Sequence, residues 1–168
     1  MDDNLSEICK LYSKKILFVG IGNVLKNDDG VGVYISKHIH NSGNILSLTV
    51  EVSIENYIGK INSIKPDILV LIDCVDMKLN PGVYKLLSVD KIMDMTFNTH
   101  NISLKRLSGF FPASTFVLGI QPQNLGFGET ISSPVLKTAN SIIDLINYKE
   151  VNYGCPISMS GMQGTIKS

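Results

Sequence analysis

The sequence has little arginine, no paired cysteines and no net charge. Fifteen Lys and Arg side chains balance fifteen Asp and Glu side chains, which argues against a nucleic-acid-binding protein, because such proteins usually carry a basic excess. Arg106 is the single arginine, so a clamp of several arginines on a phosphate or carboxylate is excluded. The three cysteines, Cys9, Cys74 and Cys155, show no C-x-x-C spacing. That absence excludes a zinc knuckle or a redox dithiol, and the sparse count fits a reducing compartment.

Long hydrophobic runs are also missing. The first fifteen residues begin with acidic side chains and contain no apolar segment of the kind found in secretory signal peptides. Apolar runs such as Ile16–Val19 and Ile68–Ile72 are far shorter than the roughly 20 residues of a membrane-spanning helix. We therefore expect a cytoplasmic protein that binds neither a membrane nor nucleic acid.

What is present is the composition of one globular domain. The residues are 44% hydrophobic and 18% charged, which is enough apolar material for one hydrophobic core. A chain of 168 residues is too short for two domains of typical size. We expect the core to span about residues 15–148. A short helix should precede it, and a loose tail should follow from Lys149 onwards.

Short apolar runs alternate with helical patterns along the chain, which predicts an α/β domain. Three of the apolar runs lack polar alternation, as is typical of central strands covered on both faces. The link between the third and fourth strands is too short for a helical crossover, so the fourth strand should be antiparallel and the sheet mixed. The predicted strands are Lys15–Gly20, Leu46–Ser53, Asp67–Asp73, Val83–Val89 and Thr115–Gln121; the predicted helices are Asp3–Ser13, Asp28–His40, Glu55–Ile64, Ser103–Phe110 and Pro134–Tyr148, the last with Ser133 as its N-cap.

Polar residues at the carboxyl ends of these strands predict a functional site, because ligands of open α/β sheets bind there. Asp73 ends an apolar run, where a buried carboxylate is costly without a partner. Asp29 follows the first strand, and His100 stands among polar residues before a predicted helix. Two carboxylates and one imidazole suit a borderline divalent metal with positions left for another ligand. Asp29, Asp73 and His100 are therefore the predicted set.

The segment after the first strand allows two other interpretations. Gly20 and Gly22 resemble the opening of a dinucleotide-binding turn. The third glycine of that motif is replaced by Leu25, however, and two carboxylates at a helix N-terminus would repel a pyrophosphate. Asp28 and Asp29 also suit the first turn of a helix, where they would satisfy unpaired N–H groups. That structural role explains one aspartate better than two.

A third interpretation is a thiol nucleophile at Cys74 with His100 as its base. Consecutive residues of a strand point to opposite faces, so Cys74 should pack under a helix if Asp73 faces the site. His38 and His40 lie near the end of a predicted helix and two positions apart. That spacing puts them on different helix faces and makes them poor joint ligands.

Four ordered segments resemble the [NiFe]-hydrogenase maturation endopeptidases. They are ILFVGIGNVLKNDDGVGVYISKHI, DILVLIDCVDMKLNPG, NTHNISL and FVLGIQPQNLGFG. The last three are most similar to the peptidase that serves hydrogenase 3, of the formate-hydrogenlyase type. The resemblance runs from about Lys15 to Ile146. It implies a three-layer α/β/α sandwich around a twisted, mostly parallel five-stranded sheet.

The resemblance also implies a function. Members of this family, sometimes grouped with aspartic peptidases, remove the C-terminal extension of the hydrogenase large-subunit precursor after nickel insertion. Their three metal-recognising residues fall on Asp29, Asp73 and His100, and the nickel would be carried by the precursor rather than held permanently. A nickel-binding maturation chaperone that does not cut, and a self-sufficient metallohydrolase, remain open. One departure is the pair Glu51-Val52, where many relatives carry two glycines that would let a substrate backbone approach closely.

Overall fold

The computed structural model describes residues 3–11, 13–89, 98–99 and 109–151. His100, most of the predicted helix over Ser103–Phe110, and the chain after Val151 lie outside these ranges. Within them, no helix is both long and apolar enough to cross a membrane.

Five strands form the main sheet, and all five were predicted. In chain order the strands of the structure are β1 (Ile16–Ile21), β2 (Ile45–Glu51), β3 (Ile68–Asp76), β4 (Tyr84–Ser88), the two-residue β5 (Asn98–Thr99) and β6 (Ser114–Ile120). The main sheet has the order β2-β1-β3-β6-β4. Strands β1, β2, β3 and β6 are parallel, and β4 is antiparallel to β6. The predicted mixed, mostly parallel sheet is confirmed.

Helices cover both faces of the sheet because its central strands are apolar on both faces. The helices are α1 (Asp3–Cys9), α2 (Val31–His38), α3 (Ile58–Ile64) and α4 (Ser133–Val151), with 3-10 helices at Asn27–Gly30 and Ile54–Tyr57. One hydrophobic cluster joins alternate residues of β1 and β3 to α1, α2 and α4. A second cluster joins the intervening strand residues to α3 and the 3-10 helix before it. The three-layer arrangement is confirmed.

Several predicted boundaries are wrong. The helix predicted over Asp28–His40 begins as a separate 3-10 helix, and α2 starts only at Val31. Ser133 is the first residue of α4 rather than its N-cap, and α4 continues through the start of the predicted tail. Strand β3 extends three residues beyond Asp73 because β5 pairs with its end, Thr99 opposite Val75.

The N-terminal end of α2 lies unusually close to the carboxyl ends of β1 and β3. A Cβ atom at Gly32 would lie 2.2 Å from the carbonyl oxygen of Ile72 and 2.3 Å from that of Ile21. Only a residue without a side chain fits there. This close packing holds the 3-10 helix that precedes α2 over the carboxyl edge of the sheet.

Candidate active site at the carboxyl edge of the sheet

Two of the three predicted site residues lie at this edge. Asp29 belongs to the 3-10 helix after β1, and Asp73 belongs to β3, where its partner on β6 is Gly119. Asp29 is 3% exposed and Asp73 is fully buried. Buried carboxylates are uncommon without a structural or functional reason. The third predicted residue, His100, lies outside the described residues and follows Thr99, which pairs with β3.

The turn after β1 positions Asp29. The backbone N–H of Asn23 donates a hydrogen bond to Oδ2 of Asp29 at 3.1 Å. Gly22 has φ +146°, and a Cβ atom there would lie 1.9 Å from the carbonyl oxygen of Asp29. The glycine is therefore required by contact between the turn and the 3-10 helix. Close packing within the chain accounts for it without a bound nucleotide.

Asp28 has a different role from its neighbour. Its Oδ2 accepts hydrogen bonds from the N–H groups of Gln123 and Asn124 and from the hydroxyl of Ser132, each at 2.8 Å. Its Oδ1 accepts from the N–H of Ser132 at 2.6 Å. Asp28 lies in the first turn of a helix, as predicted, but the prediction that its side chain satisfies N–H groups of that helix is wrong, because these partners all belong to the loop that connects β6 to α4. We call residues 122–132 the β6–α4 loop.

Asn27 fixes the middle of the β6–α4 loop. Its Nδ2 donates to the carbonyl oxygens of Gly126 at 3.0 Å and Phe127 at 3.3 Å, and its Oδ1 accepts from the N–H of Thr130 at 3.2 Å. Its own backbone N–H donates to the carbonyl of Gly128 at 2.7 Å. Asn27 reaches these groups from the left-handed region, with φ 45°, which asparagine tolerates better than most residues. Sequence reasoning missed this residue.

The end of β3 is fixed by Gln121, which follows β6. Gln121 Oε1 accepts from the N–H of Met77 at 2.7 Å, and its Nε2 donates to Oδ1 of Asp76 at 3.3 Å. Hydrogen bonds from the side chain and backbone of Lys78, and then from Gln121, lower the pKa of Asp76 to about 2. Asp76 therefore has local partners and a structural role at the strand end.

Cys74 follows Asp73 on β3 and packs on the opposite face of the sheet. It is fully buried and packs in the cluster shared with α2 and α4, as alternation along β3 predicted. Burial raises the pKa of its thiol, and the negative charges of Asp73, Asp29, Asp28 and Asp76 raise that pKa further. A thiolate nucleophile at Cys74 is disfavoured on both counts.

The other histidines lie away from this edge. His38 is in the last turn of α2, with its Nδ1 2.7 Å from the carbonyl oxygen of Tyr34 and its ring against the Tyr34 ring. The backbone N–H of His40 donates to Oδ1 of Asn147. Both histidines are at the surface. His40 lies beyond the end of α2, so the prediction that the two histidines share one helix is wrong.

Glu51 occupies an unusual backbone conformation beside the site. A register shift in the pairing of β1 with β2 places it opposite Ile21, and its carbonyl accepts the N–H of Gly22 at 2.8 Å. Its φ is 54°, in the left-handed region that favours glycine. Glycine would therefore be less strained than glutamate at this position.

Asp29 and Asp73 supply two oxygen donors from different elements to one edge. In the described part of the chain, no group of three or more His, Cys, Asp and Glu side chains is arranged to hold a metal ion. The two carboxylates can act as oxygen ligands to a divalent cation that another molecule also binds. Either one can also accept a proton from water.

Comparisons with known proteins agree on one family. Residues 35–149 match the family model HycI, described as hydrogenase maturation protease. A Methanocaldococcus jannaschii protein assigned as a hydrogenase maturation protease is 31% identical over 79% of this chain and 89% of its own length. The hydrogenase 3 maturation protease of Escherichia coli K12 is 29% identical over 80% of this chain and 90% of its own length. The crystal structure of the [NiFe] hydrogenase maturation protease HycI from Thermococcus kodakarensis superimposes with a TM-score of 0.74 at 25% identity, covering 86% of this chain and 97% of that one.

Proposed function

Because the chain belongs to the hydrogenase maturation protease family, whose members are endopeptidases, we propose that it removes the C-terminal extension of a [NiFe]-hydrogenase large-subunit precursor after nickel insertion. The observation that carries the proposal is the pair of buried carboxylates, Asp29 and Asp73, at the carboxyl edge of the sheet. They come from elements far apart in sequence, the 3-10 helix after β1 and strand β3.

In this proposal the nickel is part of the substrate. Asp29 and Asp73, with His100 as the third donor, close onto nickel already inserted in the precursor. Carboxylate and imidazole groups are suitable ligands for a divalent metal of this kind. Two carboxylates and one imidazole are too few protein ligands to bind nickel tightly by themselves, so the isolated protein should hold little nickel. The contact with nickel is then a check that insertion has occurred.

The chemistry is hydrolysis of one peptide bond. A water oxygen attacks the scissile carbonyl carbon, the bond from that carbon to nitrogen breaks, and a proton passes to the departing amine. Nickel in the precursor can polarise the carbonyl or activate the water. Alternatively, Asp29 or Asp73 takes the proton from the water as a general base. Both routes use the same two carboxylates.

We place this reaction in the cytoplasm. The support is compositional: the cysteines are few and unpaired in spacing, which fits a reducing compartment.

Incubation of the purified protein with nickel-loaded precursor tests the proposal. Loss of the C-terminal peptide, measured as a fall in the intact mass of the precursor, is the expected result. A stable complex whose precursor keeps its full mass would instead identify a nickel-binding chaperone. Hydrolysis of small amides or esters by protein that retains its own metal would identify a self-sufficient metallohydrolase.

A further inference from the structure

A patch of exposed apolar side chains adjoins the candidate site. Phe127, in the β6–α4 loop, is 92% exposed, and Leu25 and Val24, in the turn after β1, are 54% and 42% exposed. The two segments are joined, because the N–H of Gly128 donates to the carbonyl of Leu25 at 3.0 Å. We call Val24, Leu25 and Phe127 the apolar rim.

The backbone beneath the apolar rim is fixed by buried polar groups. Asn27 bonds the carbonyl of Phe127 itself, and Asp28 bonds both ends of the same loop. These bonds fix the backbone position of Phe127 at the surface. Burial of a phenylalanine side chain stabilises a protein, and this chain leaves that stabilisation unused because Phe127 is exposed. Exposed apolar surface on a rigid support is typical of a binding surface.

The apolar rim is continuous with the site through a short chain of contacts. The N–H of Leu25 donates to Oδ1 of Asn23 at 3.0 Å, and the N–H of Asn23 donates to Oδ2 of Asp29 at 3.1 Å. A protein whose peptide bond reaches Asp29 comes close to the turn that carries Leu25, and the backbone hydrogen bond from Gly128 to Leu25 places the loop that carries Phe127 beside that turn. Resting on the function proposed above, we infer that the apolar rim is the docking surface for the folded body of the precursor.

The small size of the apolar rim favours a substrate over a second copy of this chain. Three side chains expose far less surface than the roughly 800 Å² that each partner of a stable complex buries. A patch of this size suits a partner that also binds elsewhere on the protein. The precursor does so in the proposed function, because it also binds at Asp29 and Asp73. The surface of the precursor that meets the apolar rim should be apolar too.

Steady-state processing of nickel-loaded precursor tests the inference. Phe127→Ser should raise KM by about tenfold, the loss expected for a truncated anchor residue, and leave kcat within about twofold of wild type. Leu25→Ser should raise KM in the same direction. Phe110→Ser is the matched control, since Phe110 is 50% exposed but precedes β6 at the opposite edge of the sheet. It should leave both constants unchanged.

Two results would overturn the inference: an unchanged KM in Phe127→Ser and Leu25→Ser, or a fall in kcat alone. If wild type cuts no precursor, the proposed function fails, and equilibrium binding of the same precursor still decides the docking. Weaker binding by Phe127→Ser than by Phe110→Ser would support the apolar rim, and equal binding would refute it. Analytical ultracentrifugation gives the oligomeric state of wild type and of Phe127→Ser. A dimeric wild type and a monomeric Phe127→Ser variant would show that the apolar rim binds a second copy of this chain instead.

Discussion

Asp28 accepts two hydrogen bonds from Ser132, one from its N–H at 2.6 Å and one from its hydroxyl at 2.8 Å, across 104 residues of sequence. With the N–H groups of Gln123 and Asn124, these bonds tie the 3-10 helix after β1 to the β6–α4 loop. The two consecutive aspartates therefore have different roles. Asp28 builds the edge of the site, and Asp29 is proposed to act in it.

Asp28→Asn should destabilise the fold. The amide keeps the shape of the carboxylate but loses its charge and turns an N–H group towards donors, so we expect the free energy of unfolding to fall by about 3 kcal/mol. Urea denaturation measures the change. Asp144→Asn, at an exposed position of α4, is the control and should change stability by less than about 0.5 kcal/mol. A loss of less than about 1 kcal/mol in Asp28→Asn would show that the link to Ser132 contributes little.

Asp29→Asn and Asp73→Asn should each abolish processing while the fold stays intact. Each change removes a charged oxygen donor and retains the shape of the side chain, so binding to nickel and proton transfer both suffer. The measurement is the intact mass of nickel-loaded precursor after incubation, with circular dichroism as the check of folding. Asp144→Asn should process normally. Near-normal cleavage by folded Asp73→Asn would remove that residue from the mechanism.

The layers of the fold and the placement of Asp29 and Asp73 at one edge of the sheet were predictable from local sequence patterns. Apolar runs without alternating polar residues predicted β1, β3 and β6. The rule that ligands bind at the carboxyl ends of strands then selected Asp29 and Asp73. Both signals are short in range. The end of β3 was misplaced because β5, which pairs with Val75 and Asp76, is too short to leave a pattern of its own.

The role of Asp28 could not be read from the sequence. Its position after a strand and before a helix is that of a helix cap, and its hydrogen-bond partners lie about a hundred residues away. The left-handed conformation of Glu51 was equally hidden, because it results from a register shift between β1 and β2. Long-range contacts of this kind carry no periodicity.

Cys74 should be chemically silent in the native protein. Burial and the surrounding carboxylates raise the pKa of its thiol, so it stays protonated at neutral and mildly alkaline pH and reacts with iodoacetamide only after denaturation. Cys74→Ala should retain processing and lose about 1 kcal/mol of stability through poorer packing. Peptide mapping after alkylation measures the reactivity. Complete loss of cleavage in folded Cys74→Ala would revive the thiol mechanism.

Gly32→Ala should destabilise the protein by pushing α2 away from the sheet. The added methyl group would meet the backbone carbonyl oxygens of Ile72 and Ile21, which cannot move aside as a side chain can, so we expect a loss of about 2–3 kcal/mol in the free energy of unfolding. Gly59→Ala in α3 is the matched control, because nothing lies within 4 Å of the new Cβ atom. It should raise stability by about 0.5–1 kcal/mol. Equal effects of the two changes would refute the close contact at Gly32.

In the proposed function, cleavage depends on nickel that is carried by the precursor and recognised through Asp29 and Asp73. The most direct measurement compares processing of nickel-loaded and nickel-free precursor by enzyme that has been treated with a chelator and then freed of it. We expect the treated enzyme to cut nickel-loaded precursor at the untreated rate and to leave nickel-free precursor uncut at every enzyme concentration. Processing of nickel-free precursor at the normal rate would contradict the claim and identify a peptidase that needs no nickel in its substrate.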